Sequence, residues 1–124
     1  MVVGTDLVRL FVYGLLRDGE ALNERLLALG GVAVQLDTPV RGFALYHLGG
    51  FPGMVRDLGS TVRGDIFCVP PEALQALDLI EGTPNFYRRV TICAEGGMAQ
   101  AYLFNQPIEP FRRIESGDWL EAAP

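Results

Sequence analysis

The sequence predicts an α+β fold in which a small mixed β-barrel-like sheet is flanked by two helices. Many short runs have the mixed hydropathy of half-buried strands, whereas only two segments carry apolar residues at helical spacing. With so few elements, a curled sheet with helices packed against it buries the most apolar surface. The chain has 124 residues, of which 49% are hydrophobic and 20% charged. This size and composition predict a single domain over residues 1–124.

A strand, a turn and a helix are predicted near the N-terminus, after a loose terminus over residues 1–6. Residues 7–13, LVRLFVY, are mostly apolar and rich in residues that favour strands, which is typical of a buried central strand. A turn bounded by glycines follows at residues 14–19. It leads into a helix predicted over residues 20–29, which ends at a Gly-Gly pair. The leucines on one side of this helix are Leu22, Leu26 and Leu29.

Four strands are predicted in the middle of the chain. They cover residues 32–36, 40–48, 54–57 and 61–69. A loop rich in Gly and Pro, residues 49–53, separates the second of them from the third.

A hairpin is predicted after the second helix. Its strands cover residues 86–94 and 98–105, and the connection between them is Glu-Gly-Gly. The tail from residue 106 onward is polar and spaced by prolines, with Trp119 as its one large anchor.

The second helix is predicted over residues 70–81, PPEALQALDLIE. Its two prolines and early glutamate favour a helix start, and the Gly82 that follows is a helix-stop signal. Glu81 lies four positions after Leu77 and seven after Leu74, which puts it on or beside the apolar stripe. The helix dipole and a low-polarity surrounding would raise its pKa, as a general base near neutrality requires. The alternative is that Glu81 occupies a frayed helix end and points to water.

Composition excludes several classes of function. The net charge is −5, and all ten basic residues are Arg, which argues against binding to nucleic acid or to an anionic membrane. Without Lys there is no Schiff base or P-loop lysine. With His47 as the single histidine and no ligand spacing among the acids, neither a metal site nor a cofactor is expected.

Cellular context is predicted from what the sequence lacks. It shows no secretory leader and no apolar run of membrane-spanning length, so a cytoplasmic location is expected. Cys68 and Cys93 lie in apolar, strand-like runs and are expected to be buried, reduced thiols. A disulfide between neighbouring strands remains the alternative.

Two stretches together indicate a type of chemistry. The turn Tyr13-Gly14-Leu15-Leu16 follows the first strand and exposes backbone N–H groups that suit an oxyanion or a carboxylate. Glu81 would supply a base at the end of the second helix. Proton transfer combined with oxyanion stabilisation is acyl-transfer chemistry. The residues themselves indicate this reaction class and no particular substrate.

Four motifs resemble one family, the γ-glutamylcyclotransferase-like (AIG2-like) proteins. FVYGLLRDG is similar to their FVYGTLRRG-type opening, and RGDIFCV to their V-x-GE-x-Y-x-V strand. LDLIEGTPNFYRRV is similar to their LD-x-x-EG…Y-x-R segment, and SGDW to the same four residues near their C-terminus. The motifs occur in the same order and spacing, from about residue 10 to residue 119.

The resemblance implies a fold, a reaction and a set of residues. The family folds as a small mixed β-barrel with flanking helices and releases 5-oxoproline from γ-glutamyl compounds without a cofactor. A small γ-glutamyl molecule is therefore the partner it implies. Glu81 matches the catalytic glutamate, and Arg89 matches an arginine that is structural and not chemical. The residues that match the substrate-binding positions are Tyr13, Gly14, Leu15, Leu16 and Tyr87.

The sequence departs from the family pattern at two positions. Leu15 stands where the family usually has Ser or Thr, and Asp65 replaces a Glu in the strand motif. Leu15 is harmless if the substrate uses only the backbone N–H. If the family hydroxyl touches the substrate, activity or specificity has changed. The alternatives to an enzyme are a module that binds a small ligand in the same cleft, and an interaction domain with a vestigial pocket.

Overall fold

The computed structural model describes residues 6–122, which form one six-stranded sheet, two α-helices and a short 3-10 helix. The loose terminus predicted over residues 1–6 lies outside the described residues except for Asp6. The strands are β1 (Val8–Val12), β2 (Val32–His47), β3 (Pro52–Val69), β4 (Tyr87–Ala94), β5 (Gly97–Phe104) and β6 (Arg112–Ile114). The α-helices are α1 (Asn23–Ala28) and α2 (Ala73–Ile80), and the 3-10 helix covers Trp119–Glu121.

The sheet is mixed, which confirms the predicted α+β class. Its strand order is β4-β5-β1-β3-β2-β6. β1 lies centrally and pairs antiparallel with β3, and it pairs in parallel with β5 where Leu10 faces Gln100. The other neighbouring strands pair antiparallel. Because β2 also contacts β4, although three strands separate them in the sheet order, the sheet curls into a half-barrel.

β2 and β3 are longer than the sequence predicts, because each joins two predicted strands into one. The pairing between them runs from Val32 opposite Cys68 to His47 opposite Pro52, with shifts of register along the way. Asp37 and Gly42 have φ angles of 52° and 95° and lie where these shifts occur. The residues that resemble turns therefore form β-bulges, which bend the strands into the half-barrel without ending them.

Two apolar cores lie on the two faces of the sheet. The inner core is enclosed by the curl and draws residues from all six strands, among them Phe11, Leu45, Met54, Ala101 and Ile114. The helix-side core packs the sheet against both helices and includes Leu10, Leu26, Phe67, Leu77 and Phe104. The two helices thus both lie on one face of the sheet, and they flank it as predicted.

Three local predictions are corrected by the structure. α1 is shorter than predicted, because residues 20–22 belong to the turns that precede it. Cys68 is half-buried and Cys93 is exposed, both as free thiols, and neither belongs to one of the two cores. The tail adds β6, which pairs with the last residues of β2, and Trp119 packs against the inner core.

No helix within residues 6–122 is both long enough and apolar enough to span a bilayer.

Candidate active site

The end of α2 fixes the position of Glu81. Leu77 is fully buried in the helix-side core and orients the helix. The Gly82 N–H donates to the Leu79 carbonyl at 3.2 Å, and the Thr83 N–H donates to the Asp78 carbonyl at 3.0 Å. With a φ of 66° at Gly82, these bonds form a Schellman motif that closes the helix. Glu81 is the C-cap residue, held in helical geometry and not frayed.

A polar cluster ties α2 to the hairpin. Arg89 on β4 donates to both carboxylate oxygens of Asp78, from Nε at 2.9 Å and from Nη2 at 3.2 Å. The Tyr102 hydroxyl on β5 donates to the same carboxylate at 2.7 Å. Burial and this bond to Asp78 raise the pKa of Tyr102. These contacts join the last turn of α2 to two strands, and they are consistent with a structural role for Arg89.

The turn after β1 forms the opposite wall. Its bend is closed by the Arg17 N–H, which donates to the Gly14 carbonyl at 3.0 Å, and by the buried Asn23 side chain, which donates to the Leu16 carbonyl. A Cβ at Gly14 would lie 2.7 Å from Pro52, so this approach requires glycine. Within residues 6–122, the backbone N–H groups of Gly14, Leu15 and Leu16 donate to no acceptor. They are available to an anionic ligand.

A buried ion cluster holds the far end of this turn. The Arg17 side chain is almost fully enclosed, and its guanidinium lies 2.9 Å from Asp118 and 3.4 Å from Asp65. Asp65 also accepts the backbone N–H groups of Asp18 and Asp37, each at 2.9 Å. Sequence reasoning did not identify this cluster, although SGDW and the strand motif contain its two buried carboxylates.

These elements enclose a cleft of about 350 Å³ between the turn, the end of α2 and the start of β4. A volume of this order suits a small-molecule ligand. All six site residues named from the sequence line it: Tyr13, Gly14, Leu15, Leu16, Glu81 and Tyr87. Leu15 forms part of the wall and leaves the cleft open, so the geometry does not favour a vestigial, filled pocket. Tyr102 also lines the cleft and was not predicted.

The Glu81 carboxyl lies in an apolar part of this cleft. Burial raises its pKa from 4.5 to about 7. Among residues 6–122 it has no hydrogen-bond or ion-pair partner, so nothing in the described protein offsets the loss of hydration. At neutral pH the group therefore exchanges a proton readily, which is the property of a general acid and base.

Buried tyrosines surround the carboxyl, and their hydroxyl protons are already bonded. The Tyr13 hydroxyl donates to the Tyr102 carbonyl at 2.6 Å, and the Tyr87 hydroxyl donates to the Pro52 carbonyl at 2.7 Å. Burial raises the pKa of both, with smaller contributions from neighbouring acidic groups that include Glu81. They therefore act as neutral walls, and Glu81 is the group in the cleft that titrates near neutrality.

His47 lies away from this cleft. Its ring packs 5.2 Å from that of Trp119, and Nδ1 accepts the Gly49 N–H. Across the described part of the chain, no three His, Cys, Asp or Glu side chains cluster in a way that could hold a metal ion.

Comparison with known proteins shows which family this chain is similar to. A family model described as gamma-glutamyl cyclotransferase, AIG2-like, matches residues 10–121. A Vibrio cholerae protein with a provisional gamma-glutamylcyclotransferase name is 38% identical over 111 residues, which cover 90% of this chain and 94% of the relative. The gamma-glutamylcyclotransferase family protein YtfP of Escherichia coli K12 is 33% identical over 119 residues, 92% of this chain and 97% of YtfP.

A solved structure extends the similarity from sequence to fold. The solution NMR structure of ytfP from Escherichia coli superposes with a TM-score of 0.74 at 30% sequence identity. The superposition covers 92% of this chain and 97% of that one. The curled sheet and its two helices are therefore an arrangement shared with a relative of similar length.

Proposed function

We propose that this chain, which belongs to the gamma-glutamyl cyclotransferase, AIG2-like family, releases 5-oxoproline from a γ-glutamyl compound, with Glu81 as general base and then general acid. The observation that carries the proposal is the position of Glu81, an unpaired carboxyl with a pKa of about 7 that faces unoccupied backbone donors across one cleft. The release of 5-oxoproline needs a group that transfers protons and donors that stabilise an oxyanion, and the Glu81 carboxyl and the backbone N–H groups would supply them.

The proposed reaction is an intramolecular transfer. The α-amino group of the substrate gives a proton to Glu81, and its nitrogen forms a bond to the carbonyl carbon of the γ-glutamyl group. The bond from this carbon to the leaving nitrogen then breaks, and Glu81 returns a proton to that nitrogen. The products are 5-oxoproline and a free amine or amino acid. Since nucleophile and carbonyl share one molecule, the protein's main task is to hold the folded conformer.

The turn supplies the second contribution. Backbone N–H groups of Gly14, Leu15 and Leu16 would hold the γ-glutamyl group and stabilise the oxyanion. One such donor contributes roughly 10²–10³ in rate in other acyl-transfer enzymes. Because these donors are backbone groups, Leu15 in place of a hydroxyl residue is compatible with this role. Tyr13 and Tyr87 would shape the walls, and Tyr87 would exclude water beside the carboxyl.

An assay of 5-oxoproline release over a panel of γ-glutamyl amides tests the proposal. Wild type should release it from at least one substrate, and Glu81→Gln should be slower by about 10²–10⁴, the range typical of general acid and base catalysis. Glu72→Gln is the matched control, because Glu72 is an exposed glutamate at the other end of α2. Equal rates for wild type and Glu81→Gln would disprove the role of Glu81.

A ligand-binding module is the second candidate, and Leu15 is the residue that favours it. If the missing hydroxyl is needed for turnover, wild type would bind a γ-glutamyl amide with a stoichiometry of about one and release no 5-oxoproline. Calorimetry on the same panel separates the two functions. If the protein is a binding module, Leu15→Thr should gain turnover. If it is a cyclotransferase, the same substitution should change the rate little.

A further inference from the structure

Arg89 is a cation near Glu81 that does not enter the cleft. Its guanidinium is held by Asp78, with Nε 2.9 Å from one carboxylate oxygen and Nη2 3.2 Å from the other, and its Nη1 donates to the Gln100 side chain at 2.9 Å. Asp78 precedes Glu81 by three residues at the end of α2, and side chains at this spacing are neighbours on a helix. The cation is therefore held close to the general base, although Arg89 does not line the cleft.

Every element packed around Glu81 contributes a titratable or charged side chain. These are Tyr13 from the turn, Tyr87 and Arg89 from β4, Tyr102 from β5 and Asp78 from α2. The three tyrosines are neutral at neutral pH, because burial raises the pKa of each hydroxyl. The charged groups among these are one anion, Asp78, and one cation, Arg89, which offset each other.

Without Asp78, Arg89 would have Glu81 as a neighbouring carboxylate. A guanidinium binds a carboxylate strongly and stabilises its ionised form. If Arg89 paired with Glu81, the pKa of Glu81 would fall and its oxygens would be occupied. The carboxylate would then be a weaker base toward the substrate amine.

Asp78 is bonded through both its side chain and its backbone. Its carboxylate accepts the Tyr102 hydroxyl at 2.7 Å in addition to Arg89, so that it attaches α2 to β4 and β5. Its carbonyl accepts the Thr83 N–H at 3.0 Å and the Thr83 hydroxyl at 2.7 Å, beyond Glu81 in the chain. Glu81 is thus enclosed between two sets of bonds that meet at one residue.

We propose that Asp78 is a positioning residue for Glu81, which keeps Arg89 away from the base and fixes the end of α2 against β4 and β5. This inference rests on the proposed cyclotransferase function, in which Glu81 is the base. Asp78 does not line the cleft and acts through Glu81. Because Asp78 and Arg89 have opposite charges, removal of either one alone should change the electrostatic field at Glu81 in opposite directions.

NMR titration of the Glu81 side-chain carboxyl, in the intact protein without substrate, tests this inference. In Asp78→Asn the cation is uncompensated, so the pKa of Glu81 should fall by at least about 0.5. In Arg89→Met the anion is uncompensated, so the pKa of Glu81 should rise by at least about 0.5. The double variant has neither charge and should return to within about 0.2 of wild type.

The kinetics should show the same signs and one further effect. The acidic limb of kcat/KM against pH should move down in Asp78→Asn and up in Arg89→Met. At the plateau, kcat should fall by about tenfold in both variants and in the double variant, because each loses the attachment of α2 to β4. A residue that only stabilised the fold would not move the limb in opposite directions.

Asp57→Asn and Arg113→Met are the matched controls. Asp57 and Arg113 form an ion pair at 3.0 Å with side chains 36% and 35% exposed, close to the 31% and 29% of Asp78 and Arg89, and they lie outside the cleft. Both controls should leave the pKa of Glu81 and kcat unchanged. Shifts of one sign in Asp78→Asn and Arg89→Met, no shift in either, or equal shifts in the controls would overturn the inference.

A charge-conserving variant keeps the test decisive if Arg89→Met does not fold. Arg89→Lys retains the cation, so the pKa of Glu81 should stay at the wild-type value while it falls in Asp78→Asn. A fall in both variants, or in neither, would contradict the role of Asp78.

The titration also separates this inference from the proposed function. If wild type releases no 5-oxoproline from any γ-glutamyl amide while the two pKa shifts have opposite signs, the proposed function fails and the control of Glu81 by Asp78 stands. If 5-oxoproline is released and the pKa of Glu81 is the same in all variants, the proposed function stands and the inference about Asp78 is overturned.

Discussion

At the residue scale, Glu81 makes the stability of the protein depend on pH. Its pKa is about 7 in the folded state against an ordinary value of 4.5, and burial is the cause. The folded state therefore holds a proton that the unfolded chain has already released between these two values. The contribution of Glu81 to the free energy of unfolding must fall as the pH rises from about 4.5 to about 7, because the folded protein increasingly contains a carboxylate that has lost part of its hydration.

Glu81→Gln should remove this dependence. Relative to wild type, the free energy of unfolding of the variant should rise by up to about 3 kcal/mol between pH 4 and pH 8, as the size of the pKa shift implies. Urea denaturation of both proteins at the two pH values measures this difference in the free energy of unfolding. A difference between the proteins that is the same at both pH values would show that the carboxyl is not desolvated, and Glu72→Gln should show no such change.

The same pKa predicts the pH dependence of catalysis. A general base works only when it has lost its proton, so kcat/KM should rise with pH and level off above about pH 7. The pKa of Glu81 is read from the acidic limb of a plot of kcat/KM against pH. The substrate used must be one whose own ionisation is known. A limb near pH 4.5 would indicate a solvated carboxylate and would contradict the environment described for Glu81.

At the element scale, the Schellman motif that ends α2 determines where Glu81 points. Gly82→Ala would place a Cβ at a φ of 66° and 3.3 Å from Phe86. Unfolding free energy should drop by about 1–2 kcal/mol, the usual penalty for a left-handed residue that is not glycine. Because the change is adjacent to the base, kcat should also fall.

Gly42→Ala is the control for this prediction. Gly42 has a φ of 95° in the bulge of β2, and an added Cβ would meet nothing within 4 Å. Its loss of stability should be similar, as thermal unfolding would show, but its kcat should match wild type. Equal losses of kcat in the two variants would mean that the end of α2 does not position the base.

Sequence patterns predicted helix ends and turns well where residues adjacent in the chain determine them. The stop signal at Gly82 and the glycine-bounded turn at Gly14 both correspond to backbone geometry in the structure. The length of β2 could not be predicted, because residues around Asp37 resemble a turn and only pairing with β3 continues them as a strand. Tyr102 and the Arg17 cluster were missed for a related reason, since their partners are distant in the sequence.

At the scale of the whole molecule, the Arg17 cluster joins segments that are far apart along the chain. Its carboxylates come from β3 and from the segment before the 3-10 helix, while Arg17 itself follows the turn that lines the cleft. Gly117 fits beside Asp118 only without a side chain, because a Cβ would lie 2.1 Å from the Thr61 carbonyl oxygen. The cluster thus links the tail, the sheet and one wall of the cleft.

Arg17→Met should therefore destabilise the whole molecule. It leaves Asp65 and Asp118 buried without their cation, and breaking a buried ion pair in this way costs about 3–5 kcal/mol. Arg113→Met is the control, because Arg113 pairs with Asp57 at 3.0 Å while both side chains are about a third exposed, and such pairs contribute about 1 kcal/mol or less. Urea denaturation compares the two. Equal losses would show that burial adds nothing to the contribution of the Arg17 contacts, whereas a larger loss in Arg17→Met would show that these buried contacts stabilise the fold.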